Sequence, residues 1–256
     1  MPNNSNIDKQ VKSKKRVADH GEVFTAEREV KAMLDLVKHE TERIDSRFLE
    51  PACGNGNFLA EVLRRKLTVV TDRYAKSRIE WERYAVLAVS SIYGVDILQD
   101  NVAECRDRLF DIFDQHYTKL FRDECNPECC RSVQFILNRN ILWGDALNLK
   151  TPDEKAEPII FSEWAMAPSV EAPCMASLQP MMKRRDFTLA NLLQGDLQAF
   201  NERGMKKTGM GSLFSDEGDP AFLPTPIKDF PLMHFLKLSE MSEPLSETGF
   251  LQNLED

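Results

Sequence analysis

The stretch Phe48–Leu63, FLEPACGNGNFLAEVL, constrains this chain more than any other. An apolar lead-in runs into Pro51, which has no amide proton to offer and cannot continue a central ladder. Gly54 and Gly56 follow at once. Then Phe58, Leu59, Val62 and Leu63 recur at helical spacing. The stretch reads as strand, tight loop, helix. Glycines at such a junction let the backbone turn sharply and let a ligand approach with no Cβ in the way. Amides at the start of the helix favour polar or anionic ligand groups. A lone G-x-G is also what an ordinary strand-to-helix turn looks like, so a cofactor loop needs a second observation.

The flanking patterns supply one. HGEVFTAEREVKAMLDLVKHETERI reads as a loop entering a helix. Thr25 is its expected N-cap, Glu27 and Glu29 suit its first turn, and Val30, Met33, Leu34 and Val37 form one stripe. Helices are expected over Asn57–Lys66, from Ile79 to Ser90, and over DNVAECRDRLFDIFDQHYTKLF. Strands are expected at SRFLEP, at SIYGVDI ending in Asp96, at NILWGDAL ending near Gly144–Asp145, and at EPIIFSEW; Phe135–Ile136 closes the region before NILWGDAL. Through Trp164 the order is helix, strand, helix, helix, strand, helix, strand, strand. That alternation predicts an α/β fold, a parallel sheet with helices on both faces. In such sheets the C-terminal ends of the strands share one crevice. Glu50, Asp96 and Asp145 then converge beside the glycine loop.

The pattern divides the chain into a flexible basic tail at 1–16, a domain at 17–165 and an irregular extension at 166–256. Within the extension, KRRDFTLANLLQG reads as one short helix closed by Gly195. Lys183, Arg184 and Arg185 fit either a phosphate contact or a solvated charge cluster. FLPTPIKDFPLMHFLKL is apolar but broken by Pro224, Pro226 and Pro231, a composition that docks on its own domain or on a protein partner.

Bulk properties exclude some classes. With 256 residues and 42% hydrophobic content there is room for one full core. A net charge of −8 argues against a chain that coats nucleic acid unaided. The start, MPNNSNIDKQVKSKKR, has no apolar signal core, and no apolar run is long enough for a membrane span. A cytoplasmic chain with reduced cysteines and no membrane partner is expected. CNPECC lacks the paired C-x2-C halves of a zinc site, so no metal is expected.

FLEPACGNGNFL closely resembles the D-P-A-C-G-S-G-x-F-L signature of S-adenosylmethionine-dependent N6-adenine DNA methyltransferases of restriction–modification systems. GEVFTAEREV resembles their preceding G-x-(F/Y)-(F/Y)-T-P segment, with Ala26 in place of the proline. YGVDI with Asn101 resembles their ribose-binding strand, and NILWGDAL their adenine-contact strand. The resemblance runs from about Arg16 to Leu149. It implies a Rossmann-like class I methyltransferase sheet and S-adenosylmethionine as cofactor. Thr25 and the Gly54–Gly56 backbone would hold the methionine portion, within a motif that includes Pro51, Ala52 and Phe58. Glu50 would assist at the amino group, Asp96 would take the ribose, Ile97 would pack on adenine, and Asp145, with Ala146 adjacent, would bind the adenine amine.

The family's catalytic segment, (N/D/S)-P-P-(Y/F/W), is missing, and no Pro-Pro dipeptide occurs anywhere. In that segment a polar side chain and a proline carbonyl accept from the amino group of a flipped adenine, and the aromatic stacks on the ring. After EPIIF stands Ser162-Glu163-Trp164-Ala165. In one reading Ser162 or Glu163 supplies acceptors and Trp164 the stacking face. In the other, favoured because the chemistry needs rigidly placed acceptors, the site is inactive or completed by another subunit. The later strands that finish this fold are not found either. The expected function is therefore an adenine-N6 DNA methyltransferase or a subunit of one, in a restriction–modification or phage-defence system. Its DNA contact comes directly or through a partner, and residues 166–256 are available to a protein partner. The alternative is a cofactor-binding regulatory subunit without activity of its own. A third reading, a different methyl acceptor, has no specific support in the sequence.

Overall fold

Three short helices lead into the first strand: Lys14–His20 (α1), Glu27–Asp35 (α2) and Lys38–Thr41 (α3). The computed structural model describes residues 12–167, 180–194 and 226–241. Strand Phe48–Glu50 (β1) is followed by helices Asn57–Tyr74 (α4) and Arg78–Ser90 (α5), then by strand Ile92–Asp96 (β2). Helices Gln99–Phe121 (α6) and Pro127–Asn140 (α7) lead to strand Ile141–Trp143 (β3). The three strands pair in parallel in the order β1-β2-β3, with Phe48 opposite Ile92 and Gly94 opposite Ile141. Parallel neighbours need a crossover rather than a tight turn, and the helix pairs provide it. Central β2 is buried along its whole length, as a strand covered on both faces must be.

The two faces of β2 are covered differently. Ile92 joins the main core with α4, α5, α6 and α7. At its centre Trp81 is fully buried and stacks on Tyr117, ring centroids 5.1 Å apart, while its indole N–H donates to Thr71 Oγ1 at 3.1 Å. Tyr93 and Val95, on the opposite face by strand alternation, pack with Ile159, Phe161 and Leu189. These last residues belong to a second region. Strand Ile160–Ala167 (β4) pairs antiparallel with Met181–Thr188 (β5), which continues into helix Leu189–Gln194 (α8). The short strands Lys228–Asp229 (β6) and Met233–His234 (β7) also pair with β5. A 3-10 turn at Phe235–Glu240 closes this part, with Phe235 and Leu238 fully buried in the main core.

The structure is thus mixed α/β: a three-strand parallel sheet flanked by helices, with a separate antiparallel sheet. It corrects several expectations. EPIIFSEW does not extend the parallel sheet; β4 starts an antiparallel one. KRRDFT is strand, not helix, because Met182, Arg184 and Asp186 alternate onto a buried face. Only Leu189–Gln194 is helical there, and Gly195 lies outside the described residues. Phe135–Ile136 falls inside α7, which Asn126 caps by accepting from Glu128 N at 3.0 Å with Pro127 in the first turn. The N-cap of α2 is Ala26, without a side-chain bond, rather than Thr25. Val30 and Leu34 are buried but Met33 and Val37 are exposed, so the stripe is narrower than its spacing implied. Within the expected tail, Lys14–Arg16 already belong to α1, which Ser13 caps by accepting from Arg16 N. Part of the expected irregular extension is regular and packed; 168–179, 195–225 and 242–256 lie outside the described residues.

Candidate functional site

A cleft of about 540 Å³ opens at the C-terminal ends of β1, β2 and β3. Its walls come from four segments: Gly21–Thr25 ahead of α2, Glu50–Gly54 with Asn57 and Phe58, Asp96–Leu98 with Asn101, and Gly144–Leu147. Thr25, Glu50, Pro51, Ala52, Gly54, Phe58, Asp96, Ile97, Asp145 and Ala146 all line it. Gly56 does not; it sits behind the wall as N-cap of α4.

Both loop glycines are required by local geometry. Gly54 has φ +52°, and a Cβ there would approach the Phe24 ring to 2.9 Å. Gly56 has φ +84°, and its Cβ would lie 2.6 Å from Cys105 Sγ on α6. Each backbone is left-handed, where a side chain is strained, and each is also tightly packed.

The loop amides are largely spent on the protein itself. Cys53 N donates to Val95 O at 2.9 Å and Gly56 N to Cys53 O at 2.8 Å. Gly54 N donates to Asp96 Oδ2 at 2.8 Å. Asp96 Oδ1 accepts from Leu98 N at 2.9 Å and Asn101 Nδ2 at 3.2 Å. The carboxylate at the end of β2 thereby fixes the glycine loop against the first turn of α6.

Glu22, Glu50, Asp96 and Asp145 place four carboxylates on the cleft, and among the described residues that line it none is Lys or Arg. Their states differ. Asp145 is held in a turn by Leu147 N at 2.9 Å and by the Asn148 side chain. Glu50 is pushed above the ordinary carboxylate range by burial, against one backbone bond from Ala52. Glu22 is pushed up by burial, but bonds from Arg16 and Asn101 outweigh that and hold it below its ordinary value. Glu50 and Asp145 receive no bond from a cationic side chain in the described hydrogen-bond and ion-pair network.

The residues after EPIIF lie elsewhere. Trp164 is 4% exposed, and its indole N–H donates to Asn140 Oδ1 at 2.9 Å. Asn140 in turn bonds Ser90 O and Ile92 O, so Trp164 sits at the N-terminal ends of the strands, opposite the cleft. Ser162 is buried between Arg184 and Asp186, donating to Asp186 Oδ1 at 2.7 Å. Glu163 pairs with Arg47 at 2.6 Å and Arg185 at 2.5 Å. Lys183 pairs with Asp229 at 2.5 Å, and Arg184 is buried against Asp186 at 2.7 Å. The basic trio is therefore committed to ion pairs within the antiparallel sheet.

The sequence pattern does not single out Glu22, Phe24 or Asn57 as site residues. Only their place in GEVFT and just after the second glycine gave a signal. Cys125, Cys129 and Cys130 lie around the start of α7, and among the described residues no group of His, Cys, Asp or Glu is placed to hold a metal. Nor is any helix among them long and apolar enough to cross a membrane. The chain matches no protein-family model, no curated protein and no solved structure.

Proposed function

We propose that the cleft binds S-adenosylmethionine and that the chain is the cofactor-binding subunit of an adenine-N6 DNA methyltransferase whose acceptor site comes from a second polypeptide. One observation carries the cofactor reading: carboxylates and, among the described residues, no lining cation, at a glycine loop whose Cys53, Gly54 and Gly56 amides are already bonded. A phosphate-bearing cofactor is held by free amides of such a loop and helix start, or by a lining cation. Two like charges at about 4 Å repel by about 4 kcal/mol at a near-surface dielectric. S-adenosylmethionine carries a sulfonium and an ammonium instead; Glu50, with no cationic partner in the described network, suits a cation, and Asp145 suits the neutral amine of adenine. The parallel order of β1, β2 and β3, with their C-terminal ends at the cleft, supports a Rossmann-like class I arrangement. DNA as substrate rests on the motif resemblance.

The need for a partner rests on the position of Ser162, Glu163 and Trp164. They are engaged in the core and in ion pairs, away from the cleft. A transferred methyl must meet its acceptor at roughly 3–3.5 Å, and residues at the opposite strand ends cannot hold one there. Expressed alone, the chain is expected to leave cellular adenines unmodified; expressed with its neighbouring genes, it is expected to yield N6-methyladenine in digested DNA. Methylation of DNA by the purified chain alone would overturn the partner requirement.

A further inference from the structure

We propose that Glu22 is a second ligand-contacting carboxylate, sharing the vicinal ribose diol of the bound nucleoside with Asp96; this rests on the nucleoside reading of the cleft. An ionised carboxylate offers about four acceptor places. Asp96 has committed three, to Gly54 N, Leu98 N and Asn101 Nδ2. One place is left, too few for both hydroxyls of a diol. Glu22 shows the same count. Its Oε1 accepts from Asn101 Nδ2 at 2.8 Å and Arg16 Nη2 at 2.7 Å, and its Oε2 from Arg16 Nε at 2.6 Å. It too keeps one place, on a side chain that is 7% exposed and lines the cleft.

Asn101 joins the two. Its amide nitrogen donates to both carboxylates, and its oxygen accepts from Lys12 at 2.9 Å and Arg16 at 3.1 Å. The spacing of the two remaining acceptor places is therefore fixed through one buried amide. Arg16 also balances the charge of Glu22. The open place of Glu22 is thus suited to a neutral hydroxyl donor rather than to the cationic end of the ligand. Arg16 is itself a positioning residue, held from the far side by Asp100.

The test is calorimetric binding of S-adenosylhomocysteine and its 2′-deoxy and 3′-deoxy analogues to the wild type, Glu22→Gln and Arg16→Ala, with adenosine and its two deoxy analogues in parallel. Loss of either hydroxyl should weaken wild-type binding about tenfold, the scale of one hydrogen bond to a charged group. Glu22→Gln should weaken the parent ligand similarly, yet no longer discriminate against one of the two analogues. Arg16→Ala should weaken all three ligands by one common factor. If Glu22→Gln also acts by a common factor, or not at all, the proposal is overturned and Glu22 only anchors Arg16. If adenosine binds and S-adenosylhomocysteine does not, the adenosine series decides the diol question while the methyl-donor reading fails. Binding of neither by folded wild type overturns both.

Discussion

Gly56 carries two separate constraints, and they can be pulled apart. Its left-handed backbone costs an L-residue about 1–2 kcal/mol, and the Cys105 thiol stands where a Cβ would go. Gly56→Ala should therefore lose stability by more than that strain alone, and Cys105→Ala should restore the steric part in the double variant. Urea titrations of the four proteins give the cycle; additive losses would mean that the thiol is not the obstacle. Lys66 is a second residue with a measurable signature. It is fully buried, donating to Ile44 O, Ser46 O and Ser91 Oγ. Burial pushes its pKa from the ordinary 10.5 down to about 7. Between those values the unfolded chain binds more protons than the folded one, so unfolding free energy rises with pH across the window. Lys66→Met should flatten that rise, and an unchanged slope would place the titrating group elsewhere. At this scale the site was only partly legible. The glycines and the acids at strand ends announce themselves by position. Glu22 does not, because its partner Asn101 is 79 residues away and its role exists only once α1 has folded back.

Elements were legible where two signals coincided. β1, the glycine loop and α4 combine a breaker, a turn requirement and a helical period within one stretch. The run to β2 is similar, since a fully buried strand is a short apolar run between polar ends. Helix α7 was not delimited although Asn126-Pro127-Glu128 is a sound start signal, because its last turns around Phe135–Ile136 run into the apolar stretch of β3. Strand β5 was missed because a buried Arg184–Asp186 pair, two residues apart on one strand face, looks in sequence like charge on a helix start. Strand β4 has a sharper consequence. Trp164 is a packing residue there, in edge contact with Phe135 at 6.1 Å and bonded to Asn140. Trp164→Ala should cost about 3–5 kcal/mol of stability while leaving ligand affinity unchanged in the fraction that stays folded. A full loss of binding at unchanged stability would return Trp164 to the site.

At the scale of the molecule, the described fold places a cofactor-sized cleft at one end of a three-strand sheet, with the antiparallel sheet packed on its other face and under its opposite end. The acidic balance of the chain matches the acidic lining of the cleft. The most direct measurement is calorimetric titration of the purified chain with S-adenosylmethionine, with ATP and NAD as competitors for the same cleft. Saturable one-site binding of S-adenosylmethionine is expected, weakened by Glu50→Gln and Asp96→Asn, with no displacement by either phosphate-bearing nucleotide. Binding of ATP or NAD in preference to S-adenosylmethionine would contradict it.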